Sequence, residues 1–105
     1  MYRYRLCAEL QLEPGADTRS PGGAVTIALC GHWEHKGACR WPHNNHVEPA
    51  ASSHVMTIEF NCPAHELAEV QQRIQKALKG GRCIGPDGRE NHWRLIKIDA
   101  SPADI

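Results

Sequence analysis

Residues 2 to 12 alternate almost without fault, with Tyr2, Tyr4, Leu6, Ala8, Leu10 and Leu12 facing one way and Arg3, Arg5, Cys7, Glu9 and Gln11 the other. A period of two marks a half-buried strand. The next stretch, EPGADTRSPGG, gathers two prolines, three glycines, Asp17 and Ser20, a composition that interrupts pairing. It reads as the connection of a wide hairpin. From Ala24 the alternation resumes, with Val25, Ile27, Leu29, Gly31 and Trp33 against Thr26, Ala28, Cys30, His32 and Glu34, and predicts a second strand. Residues 36 to 51 hold glycine, two prolines and an Asn pair and show no apolar period, so they read as a long loop.

A third strand is predicted from about Ser53 to Phe60, with Met56, Ile58 and Phe60 inward. Pro63 then suits the first turn of a helix, and Glu66 places negative charge near its positive end. The helix is expected to run to Lys79 on a stripe of Leu67, Val70, Ile74, Ala77 and Leu78, with Gly80 and Gly81 stopping it. GPDG at 85 to 88 signals a turn, and HWRLIKID from 92 to 99 a last strand whose alternation slips between Leu95 and Ile96, as at a bulge.

These elements predict a single α+β domain over residues 1 to 105: a four-stranded mixed sheet in the order β-β-β-α-β, with one helix packed on one face. A helix joining two strands of one sheet favours like-directed strands, so the last strand is expected to run with the third, in the sheet order 3-2-1-4. Pairing the first two strands with Leu12 opposite Val25 also sets Cys7 opposite Cys30. One sheet face is left without a lid, and the charged outward residues of the first strand favour water there, while a homodimer would form through an edge strand.

Charge changes the picture little. Twelve basic residues balance twelve acidic ones, so no long-range field draws the chain to nucleic acid or an anionic membrane. No stretch reaches the roughly 20 apolar residues of a membrane span, and the alternating start lacks a signal peptide's apolar segment. A cytoplasmic protein is expected. Its five cysteines follow no disulfide-scaffold spacing, and in a reducing compartment they read as thiols or ligands.

Candidate chemistry concentrates in CGHWEHKGACRWPHNNH, where Cys30, His32, His35, Cys39, His43 and His46 crowd into seventeen residues with Trp33 and Trp41 between them. Thiolate and imidazole are the ligands of tetrahedral zinc, and the short intervals suit a structural site, although no CxxC pair is present. The leading expectation is a small soluble binding or interaction module whose Cys/His loop is stabilised by a zinc ion, with Trp33 and Trp41 as contact residues for a protein or small-molecule partner. A second is a metal-dependent or thiol enzyme with its open site in the same loop and Glu34 or Glu48 as base. A third is a weak single-stranded nucleic-acid binder using Arg3, Arg5, Arg40, Arg82, Arg89 and Arg94 with Trp33, Trp41 and Trp93 as stacking platforms.

Overall fold

A computed structural model describes residues 2–30, 41–85 and 87–102, the last three by backbone alone. The strands are β1 (Tyr4–Leu12), β2 (His43–Pro49), β3 (His54–Phe60), β4 (Arg82–Ile84) and β5 (Glu90–Pro102). The helices are α1 (Ser20–Cys30) and α2 (Leu67–Gly80), the second entered through a 3-10 turn at Ala64–Glu66. The strand order is β2-β3-β1-β5-β4, with every neighbouring pair antiparallel. Instead of the expected four-stranded mixed sheet with one helix, the chain forms five antiparallel strands in one curled half-barrel sheet with two helices.

β1 and β2 run in one direction with β3 lodged between them, and β3 and β5 run in the other with β1 between them. α1 thus links two like-directed strands across a third, the split β-α-β arrangement, whereas α2 leads first into the short β4, which runs opposite to β3 and turns back into β5. The last strand does run with the third, as expected, but the order around them differs from 3-2-1-4.

The principal correction is α1. Val25, Ile27 and Leu29 fit a period of two, yet Pro21, Val25 and Leu29 fit a helical period equally well, and it is this second set that is buried, while Ile27 is exposed. A short, uniformly apolar run carries no periodicity to choose between them. With 20–30 helical, the expected pairing of Cys7 with Cys30 does not form, and Cys7 lies opposite Thr57 on one side and Asp99 on the other. β2 likewise arises inside the expected loop of 36 to 51, of which residues 36–40 lie outside the described residues. Its sequence, HNNHVEP, has Val47 as its one aliphatic side chain, because an edge strand with a single neighbour needs little apolar surface.

The slip in β5 is a bulge. Leu10 faces Leu95 and Glu9 faces Lys97, so Ile96 is the extra residue. Both helices cover the same sheet face, and the core between the layers joins Leu6, Leu10, Met56, Ile58 and Phe60 to Val25, Leu29, Val70, Ile74 and Leu78. At the end of α2, Gly81 takes φ 70°, and a Cβ there would lie 2.7 Å from the Trp93 carbonyl oxygen. Only glycine fits this close approach.

Candidate functional site

The connection between α1 and β2 begins and ends at nearly one point. Cys30 is the last residue of α1 and His43 the first of β2, and Cys30 Sγ lies 4.0 Å from His43 Nδ1. Behind them runs a polar seam in a mostly apolar interface. His43 Nε2 is 3.0 Å from Thr26 Oγ1, the Asn45 amide donates to Thr26 Oγ1 at 3.4 Å and to the Gly22 carbonyl at 3.1 Å, and His43 Nδ1 is 3.1 Å from the Trp41 carbonyl. A carbonyl only accepts, so the proton sits on Nδ1, and Nε2 accepts from the Thr26 hydroxyl. Thr26 and Asn45 escaped the sequence reading. Thr26 precedes Cys30 by four and Asn45 follows His43 by two, spacings that gather a site only once α1 is known to be a helix and β2 a strand.

His46 does not join this set. It is three residues from His43 on an extended strand, so it points to the opposite sheet face, where it is 63 % exposed and pairs with Glu48 at 2.8 Å. Glu48, weighed as a base, is exposed there too and far from the seam's face. Among the described residues, no three His, Cys, Asp or Glu side chains are placed to hold one metal ion. His32, His35, Cys39, Trp33 and Glu34 lie outside the described residues.

The reading of the cysteines as thiols or ligands needs correction at Cys30, which is disulfide-bonded. In that state it offers no thiolate to a metal. Cys7, Cys62 and Cys83 are free thiols. Burial pushes the Cys83 thiol pKa up, and burial followed by the nearby Glu66 charge does the same for Cys62, so neither is poised as a nucleophile.

Trp41, expected to offer a contact surface, is 2 % exposed and belongs to the core. Its indole N–H donates to Glu66 Oε1 at 2.8 Å, and the Arg73 guanidinium stacks 4.9 Å from its ring centre. Trp93 is 5 % exposed and donates to the Leu78 carbonyl at 2.9 Å, closing the last turn of α2. Neither can stack on a base. The arginines invoked with them are engaged: Arg5 with Glu59, Arg82 with Glu90, Arg89 with the Gly15 carbonyl and Arg94 with Gln11. Trp33 and Arg40, which complete that set, lie outside the described residues.

Clefts lined by described residues lie beside β5 and the end of α2, between α1 and α2, and between the β1–α1 connection and the β4–β5 turn. None of the described helices is long and apolar enough to cross a membrane. No family model, curated protein or solved structure matches the chain.

Proposed function

We propose that the protein is a small binding or interaction module whose contact element is the connection between α1 and β2, anchored at Cys30 and His43 and pinned, in the reduced protein, by one zinc ion. The observation that carries this reading is the 4.0 Å separation of Cys30 Sγ and His43 Nδ1. Zinc bonds of about 2.3 Å to sulfur and about 2.0 Å to nitrogen set two tetrahedral ligand atoms roughly 3.5 Å apart, so reduction of Cys30 and a small shift suffice. His43 would pass its proton from Nδ1 to Nε2, where the Thr26 hydroxyl accepts as readily as it donates. His32, His35 and Cys39 are the sequence neighbours from which the remaining ligands come, and His46 drops out of the set.

Because thiol and imidazole lose protons on binding, affinity falls as pH falls. Protein reduced, incubated with zinc and desalted is expected to retain one equivalent by elemental analysis, with Cys30→Ser and His43→Ala each weakening retention about tenfold or more. Zinc content indifferent to both substitutions overturns the proposal. X-ray absorption then separates the alternatives: four protein ligands mark a structural ion, whereas three and a water favour a metalloenzyme.

A further inference from the structure

Cys30 stands in two roles that exclude each other. Its sulfur lies 4.0 Å from His43 Nδ1, within a small shift of shared zinc ligation, yet that sulfur is already committed to a disulfide. Only a free thiolate ligates a metal. Of the five cysteines in the sequence, Cys7, Cys62 and Cys83 are free thiols, which leaves Cys39 as the candidate partner within one chain. Cys39 is also among the ligands proposed for the ion.

We infer, resting on the zinc reading above, that Cys30 and Cys39 make the site a redox switch: as two thiolates they hold the ion, and as a disulfide they release it. With hydrogen peroxide as oxidant, one thiolate attacks a peroxide oxygen and becomes a sulfenic acid as hydroxide leaves, and the second thiolate then displaces hydroxide from that sulfur to form the S–S bond. Two electrons pass from sulfur to oxygen, two protons from solvent turn both hydroxides into water, and zinc loses two ligands. A dithiol reductant reverses the exchange, ending as its own disulfide.

The metal-free state is already complete. His43 Nδ1 lies 3.1 Å from the Trp41 carbonyl and Nε2 3.0 Å from the Thr26 hydroxyl, so departure of the ion leaves neither ring nitrogen without a partner. Cys30 ends α1 and His43 begins β2, so exchanging one cross-link for the other centres on the connection between them and leaves the core in place. Two bystander thiols stay out of it. Burial keeps Cys62 and Cys83 protonated, and a thiol attacks peroxide far more slowly than a thiolate.

Reduced protein loaded with zinc, desalted and titrated with hydrogen peroxide beside a chromogenic zinc chelator tests the switch, with thiols counted in denaturant at each step. One zinc is expected to leave as the count falls from five to three, in a chain that stays monomeric on non-reducing electrophoresis, and dithiothreitol with fresh zinc is expected to restore both. Reduced protein that takes up no zinc overturns the site and the switch together. Zinc retained after two thiols are lost, zinc released while every thiol persists, chains cross-linked in pairs, or a bond that peptide mapping assigns to any pair other than Cys30 and Cys39 overturns the switch alone.

Discussion

The two helices lie side by side on one sheet face, yet different forces make them helical. α2 carries its own instructions. Val70, Ile74 and Leu78 form a buried stripe, Glu69 and Arg73 pair one turn apart at 3.0 Å, and Gly81 ends the helix in the left-handed conformation. α1 holds two glycines and the β-branched Val25, Thr26 and Ile27 among eleven residues, a composition that disfavours an isolated helix. Its shape comes from outside: burial of Val25 and Leu29, the Asn45 amide on the Gly22 carbonyl, Thr26 on His43, and Arg73 of α2 donating to the Ala28 carbonyl at 3.2 Å. One helix is specified by its segment and the other by the place left for it between β1 and β2.

In the folded protein both helices still belong to one core. Leu29→Ala and Ile74→Ala are therefore expected to cost comparable stability, each about 2–5 kcal/mol in urea unfolding, since each empties a packed interior position. A much smaller penalty at Leu29 would show α1 to be a loosely attached element and break the picture of a shared core. Asn45→Ala sharpens the contrast at a lower cost of about 1 kcal/mol, removing one tether without touching the core. Hydrogen exchange should then accelerate along α1 and leave α2 unchanged. Equal acceleration in both would mean that the seam supports the whole layer.

The smallest effect lies where the chain enters α1. Asp17 accepts from the Arg19 side chain and then from its backbone N–H, and these bonds lower its carboxyl pKa from 3.8 to about 2. A folded-state value below the unfolded one means that the carboxylate's contribution is complete at neutral pH and is lost as pH falls from about 4 to about 2. Wild-type stability should consequently fall more steeply than that of Asp17→Asn across that window. Parallel acid titrations would assign no role to the Asp17–Arg19 contact.

β1, β3, α2 and β5 were legible because each has a clean period and a chemical boundary: alternation in residues 4 to 12, Pro63 before the helix, Gly81 after it, the slip at Ile96. α1 was not, since Val25, Ile27 and Leu29 satisfy a strand while Pro21, Val25 and Leu29 satisfy a helix, and the choice falls to packing against α2 and Asn45. β2 was hidden by its polarity and β4 by its length of three residues. Within the Cys/His-rich stretch, composition named candidate residues without their geometry. Cys30 and His43 meet, His46 is turned away by strand parity, and Trp41, read as a surface feature, is held inside by Glu66, Arg73 and the core.

The extra residue at Ile96 has a particular consequence. Trp93, Leu95 and Ile98 all face the helices, and removing one residue between Leu95 and Lys97 would leave every one of them facing the same way. The sequence could thus be shortened at that point without moving a single core side chain to water. What the insertion contributes is curvature: it adds local twist to the longest strand and helps roll an open ribbon into a trough.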